Sequence, residues 1–183
     1  MRWTLLILAM FVTGCATAPP MDENTVTRIR QFKTNVEQNP LDDAKVRAER
    51  DALNHDVTDY NLLTVEQFAQ TPEAAPVAFP LAWILVDRHH VDAAAGVIVT
   101  ALLPDPTNRQ YRMWKWWENQ FAQRPDYEQL NHEMIEGLFK QFEEGPLDRR
   151  LVVAELFDLG PAEAALTPAQ FRAKAFPTTQ PAK

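Results

Sequence analysis

Residues 77–104 read VAFPLAWILVDRHHVDAAAGVIVTALLP, two apolar blocks, Phe79–Val86 and Val91–Leu103, parted by the polar tetrad Asp87-Arg88-His89-His90. Neither block reaches the roughly 20 residues needed to cross a bilayer, and the break would place titratable groups at its middle. The stretch therefore predicts two short helices folded on each other and buried on nearly all sides. Pro80 suits a first helical turn, where a missing N–H costs nothing, and Asp92 stands where it could cap the second helix. A buried strand at Gly96–Leu102 is the rival reading of its β-branched centre, but it would have no partner elsewhere in the chain.

Working outward, the chain repeats one kind of punctuation. Thr64-Val65-Glu66-Gln67, Thr107-Asn108-Arg109-Gln110 and Thr167-Pro168-Ala169-Gln170 have capping-box spacing, and Asp126 with Gln129 imitates it. Gly145-Pro146 and Gly160-Pro161 read as stops, a glycine for a left-handed cap and then a proline that cannot continue. No alternating hydrophobic and polar run occurs, so the expected fold is all-α. The architecture is either an irregular helical bundle or a short stack of helical hairpins around the buried apolar helix pair at 77–103.

The helices expected from periodicity begin with Asp22–Gln38, striped by Val26, Ile29, Phe32 and Val36. Asn39-Pro40 ends it, because the residue before a proline disfavours the α region. Leu41–His55 follows, pairing through small residues Leu41, Ala44, Ala48 and Ala52, with its charged remainder solvated. Asp56–Leu63 reads as a loop. Thr107–Gln123 is an aromatic helix with Tyr111, Trp114, Trp117 and Phe121 on one face. Asp126–Glu144 carries Tyr127, Leu130, Met134, Leu138 and Phe142 in register. Leu147–Leu159 is apolar almost all round and should be central. Pro161–Leu166 and Pro168–Phe176 are short terminal turns, and residues 177–183 read as a frayed tail. One all-helical domain over 22–176 results. Gly96 is expected to permit close helix packing.

Composition bounds function. The 183 residues are 46% hydrophobic and 23% charged, with a net charge of −7; this is a foldable acidic chain without the basic clusters that nucleic-acid binding needs. Five glycines form no phosphate-cradling loop. There is no serine, and the single cysteine is Cys15, so serine and cysteine nucleophiles, disulfides and cysteine zinc sites are excluded for a monomer. No cofactor is expected.

Met1–Cys15 has one basic residue, an apolar run Leu5–Val12 and then small residues, the shape of a secretion signal too short to span a membrane. Within it, Val12-Thr13-Gly14-Cys15 resembles the lipobox of bacterial lipoproteins, with Gly14 and Cys15 at its two most restrictive positions and Val12 and Thr13 departing from the usual Leu and Ala or Ser. The resemblance covers the leader alone. It implies cleavage before Cys15, diacylglycerol on its sulfur, acylation of the new N-terminus and, with Ala16 next, delivery to the outer membrane where the host has one. Residues 16–21 then form a tether, and several acyl chains at about 0.8 kcal/mol per buried CH₂ make a permanent anchor.

Three clusters invite a functional reading. His89 and His90 with Asp87 and Asp92 are weak metal candidates, since adjacent helical residues point about 100° apart. His132-Glu133-Met134-Ile135-Glu136 offers one imidazole and one carboxylate, His132 and Glu136, at i, i+4, without an evident third ligand. Trp116, beside Lys115 and off the core stripe of its helix, is the candidate anchor for a protein partner. The expected function is a lipid-anchored envelope protein that binds another protein, as an assembly or secretion adaptor or an immunity-type lipoprotein. The alternatives are a glycosidase- or lyase-type enzyme using paired carboxylates, such as Glu133 with Glu136 or Glu143 with Glu144, and a structural helical-repeat module.

Overall fold

The computed structural model describes residues 19–38, 43–103, 115 and 117–176. Among them the regular elements are α-helices and short 3₁₀ turns, with no strand. The leader, Thr107, Tyr111, Trp114, Trp116 and the 177–183 tail lie outside the described residues.

The apolar pair is the centre. Helix α4 (Ala78–Asp87) and helix α5 (Val91–Leu102) bury Phe79, Leu81, Ile84, Leu85, Val86, Val97, Ile98, Val99 and Leu102, each almost completely. Pro80 sits in the first turn of α4. The sharp reversal between the helices is a Schellman turn: the His89 N–H donates to the Val86 carbonyl at 3.0 Å and the His90 N–H to that of Leu85 at 2.8 Å. His89 takes the left-handed conformation this turn demands, with φ of 60°. Asp92 caps nothing; it lies inside the first turn of α5 and its carboxylate holds Lys140 at 2.6 Å.

Helices α1 (Glu23–Gln38) and α2 (Asp43–Asp56) form an antiparallel hairpin, joined by Asn35 to Glu49 at one end and Arg28 to Asp56 at the other. The alanine stripe expected to make this contact is on the wrong side: Ala44, Ala48 and Ala52 are exposed, whereas Leu53 is buried and Val46, Glu49 and Arg50 are half-buried. Three methyl groups offer little apolar area. The aliphatic stem and flat guanidinium of Arg50, which lies 5.0 Å over the Trp83 ring, cover more.

Helix α3 (Leu62–Ala69) starts two residues before the expected Thr64 cap. Thr64 is buried in its interior, and its hydroxyl accepts from the Asp22 N–H at 2.9 Å, a tertiary bond in place of a local one. Asn61, at the cap position, donates its amide to Thr25 at 2.9 Å. A 3₁₀ turn (Pro72–Val77) leads into α4.

After a helical stretch at 117–121, with Trp117 and Phe121 buried, helix α6 (Tyr127–Glu144) crosses α5 and helix α7 (Leu147–Leu156) packs on both. Asp126 precedes α6 without capping it, because Arg124 takes its carboxylate at 2.9 and 3.0 Å. Gly145 does end helix α6, but in an extended conformation; helix α7 ends earlier, at Leu156, where Asp158 takes the left-handed conformation with φ of 54°, and Gly160 instead precedes the next 3₁₀ turn. Helix α7 is central on one side only: Val152, Val153, Ala154 and Leu156 are buried in the core, whereas Leu147 is 59% exposed. A 3₁₀ turn (Pro161–Ala165) and helix α8 (Pro168–Ala175) close the chain. Among the described residues Thr167 and Gln170 make the one expected capping box that forms; the Thr107–Gln110 box lies outside them. Phe171 of α8 is fully buried, stacked 3.8 Å from Phe142.

The tightest helix crossing belongs to Gly137, not Gly96. A Cβ on Gly137 would lie 2.9 Å from the Ala95 Cβ and 3.3 Å from the Asp92 Cα, both fixed to the backbone of α5, whereas one on Gly96 would meet only the Gln141 side chain at 3.4 Å. Gly137→Ala is therefore expected to lower stability by about 1–2 kcal/mol, the overpacking cost outweighing the gain in helix propensity. Gly96→Ala should hold or raise stability by up to about 1 kcal/mol. Denaturant midpoints of the two variants check the contrast.

Candidate functional site: an acidic groove

Helix α6 has two faces. Leu130, Met134, Leu138 and Phe142 point to the core. Glu133, Glu136, Gly137, Lys140, Gln141 and Glu144, at helical spacing, form one wall of an open groove of about 770 Å³. The elbow and first turns of α5 supply His89, His90, Asp92 and Gly96, and α3 supplies Glu66 and Gln70. The two glycines, at the close α5–α6 crossing, line its floor.

Two clusters that are separate in the sequence thus line one groove: His89, His90 and Asp92 from the elbow and α5, and the carboxylates Glu133 and Glu136 from α6. Asp87 does not join them. Its carboxylate accepts from Arg124 and, at 3.0 Å, from Asn54, while Arg88 donates to Asn54 and to the Val57 carbonyl, so these two residues weld the elbow to α2. His132 is exposed and does not line the groove. Of the Glu143–Glu144 pair, only Glu144 does. Among the described residues no three His, Cys, Asp or Glu side chains are placed to hold a metal ion.

Five carboxylates line the groove. Asp92 holds Lys140, raising the pKa of that lysine. Glu136 is gripped at two points by Arg172, both contacts 2.7 Å, and the bonds to this guanidinium hold its carboxyl below the usual range. Glu133 accepts from Gln129 at 3.2 Å. Among the described residues no lysine or arginine forms an ion pair with Glu66 or Glu133, while Glu144 acts on Lys140 through its charge. Gln141 is fixed from behind by Arg149 at 2.6 Å, which also reaches Thr100 at 2.9 Å. The groove is therefore built from a rigid wall, a glycine floor and a surplus of negative charge.

Sequence reasoning missed Lys140 and Gln141, whose only signal was the polar stripe of α6, and Glu66 and Gln70, which gave none. Lys115 is half-buried and pairs with Glu118 at 3.1 Å; its neighbour Trp116, like Cys15, falls outside the described residues. A second, apolar cavity of about 200 Å³ lies among Trp117, Phe121, Met134, Leu138 and Phe157. Among the described residues no helix is long and apolar enough to cross a membrane. Compared with protein families, curated proteins and solved structures, the chain matches none.

The electrostatics give two measurable outcomes. Asp22, Glu73, Asp126, Glu136 and Glu163 all have pKa values lowered by hydrogen-bonded partners. A depressed folded pKa stabilises above the unfolded value, near 4, and that contribution is lost as pH falls through the folded pKa. The melting temperature should thus fall steadily below about pH 4.5. Arg172→Gln should move the titration midpoint of Glu136 up toward the ordinary carboxylate value, as read by carboxyl-carbon NMR.

Proposed function

We propose that the protein is a lipid-anchored envelope protein, tethered through Cys15, whose helical body binds a basic segment of another protein in the acidic groove. The observation that carries this reading is the groove itself: it is wide and open, has a rigid wall, and gathers carboxylates from three helices. An open trough of this size suits a length of polypeptide bearing lysine or arginine, because opposite charge steers encounter and fixes register. The net charge of −7 points the same way. The subtypes, adaptor or immunity-type lipoprotein, differ in the partner and not in the groove.

The enzyme alternative draws less support. A glycosidase needs one carboxyl with a raised pKa as general acid, and Glu136 is held down by Arg172. Glu133 and Glu136 also stand on one wall, three residues apart, instead of facing each other across a bond.

A photoreactive amino acid at Glu133 or Gln70, in cells of the native host, should yield one discrete cross-linked protein that is lost when Glu66 and Glu144 are both changed to lysine. The same group at the exposed Ala48 should yield none. Cross-linking indifferent to the charge reversal, or seen equally from Ala48, would overturn the groove as the binding face. Incorporation of labelled fatty acid, abolished by Cys15→Ala, checks the anchor separately.

A further inference from the structure

The residues that precede α1 run along α3. Gln67 donates its side-chain amide to the Pro19 carbonyl at 3.3 Å, and three residues on the Asp22 N–H donates to Thr64 at 2.9 Å. The chain therefore enters the body beside the second turn of α3, moving toward that helix's N-terminus. Asp22 accepts from Thr25, and Thr25 accepts from Asn61, so the entering strand, the start of α1 and the loop before α3 are one hydrogen-bonded unit.

Three of the exposed large apolar side chains flank this unit: Met21 at 40%, Tyr60 at 92% and Leu63 at 43%. Each is next in sequence to a member of the network, Asp22, Asn61 and Thr64 respectively. Tyr60 stands free of the body at the tip of the α2–α3 loop. A tyrosine with an apolar ring and a wet hydroxyl suits a headgroup layer, and leucine and methionine suit the acyl boundary below it.

The chain upstream decides what this patch meets. Cys15 lies four residues before Pro19, and four residues span at most about 14 Å when fully extended. The Cys15 Cα therefore lies within about 14 Å of the Pro19 Cα, whose carbonyl bonds to α3. We infer that Met21, Tyr60 and Leu63 form a membrane-contacting patch that rests in the lipid headgroup layer and fixes how the anchored body sits on the bilayer. The inference rests on the lipidated Cys15 proposed above. Attraction to anionic lipid does not drive it, since Asp59 beside the patch has a side chain 98% exposed; covalent attachment brings the surface, and apolar contact orients it. Glu66 and Gln70, the groove's rim on α3, follow Leu63 by about one and two turns, so the acidic groove opens close to the lipid surface.

The test uses the full lipidated chain. With Cys15 consumed by its thioether, an introduced cysteine is the only free thiol. Tyr60→Cys, Leu63→Cys and Ala44→Cys proteins are labelled with an environment-sensitive nitrobenzoxadiazole dye. Ala44 is exposed, at the opposite end of the α1–α2 hairpin from Asp22. The proteins are then placed in phosphatidylethanolamine–phosphatidylglycerol vesicles carrying a nitroxide lipid. Blue-shifted emission and several-fold quenching at 60 and 63, with water-like emission at 44, is the expected result. Fatty acid on the protein and flotation with vesicles, but equal emission at all three positions, would overturn the patch and leave the anchor standing. A chain that takes up no fatty acid would overturn the anchor, and the patch with it.

Discussion

The approach of α6 to α5 at Gly137 is the contact on which the rest of the molecule depends. With no side chain there, Ala95 and the backbone of Asp92 come within ordinary van der Waals reach of a helix that would otherwise stand off. Closeness on the inner side lets Leu130, Met134, Leu138 and Phe142 reach the apolar pair and join a continuous core. On the outer side it leaves a trough whose floor is backbone and whose wall is charged. One glycine thus serves stability and the candidate site together, and the two cannot be changed independently at that position.

The use of arginine explains why the groove is acidic. Arg50 and Arg124 lie over Trp83, Arg150 lies over Phe142, and Arg172 lies over Phe139. Arg88 and Arg150 also donate to main-chain carbonyls. These planar cations are spent on closing the edges of the core, where they cover rings and satisfy carbonyls that helix ends leave open. The chain has 25 acidic residues against 18 basic ones. With many of the cations committed to structural contacts, the surplus carboxylates remain on the open face of α6 and α3. The negative groove is therefore a consequence of how the positive charges are employed elsewhere.

The central pair was legible because its signal is redundant: two long apolar blocks, a polar break and a proline at the right turn all give one answer, and the helices fall within a residue or two of it. Local signals that rest on one hydroxyl or one glycine were less secure. Thr167 caps its helix because nothing else competes for it, while Thr64, with similar spacing, is claimed by the Asp22 amide. Gly145 and Gly160 looked like left-handed caps, yet that conformation falls on His89 and Asp158. Backbone geometry at a helix end is set by the reversal the core imposes, and a histidine accepts it when the adjacent helices are buried deeply enough. The groove was half legible: each cluster could be seen, but that His89 and His90 share one groove with Glu133 and Glu136 is a fact of helix crossing, which no local pattern encodes. Glu66 and Gln70 gave no signal, since they became part of the site only through the packing of α3.

Helix α3 shows how closely the parts are joined. Eight residues are too few for a helix to persist in water on its own, so α3 exists because each of its sides is occupied. Leu62, Val65, Phe68 and Ala69 are buried in the core. Thr64 and Gln67 hold the entering chain, and Glu66 and Gln70 rim the groove. A ligand pulling on that rim and a membrane pulling on the entering chain would act on the same two turns of helix. The entering chain continues into α1 and is tied to α3 by two hydrogen bonds, and α3 packs in turn on α4 and α5. The proposed anchor and the proposed binding face thus share one short helix, and loosening either side of it would weaken the support of the other.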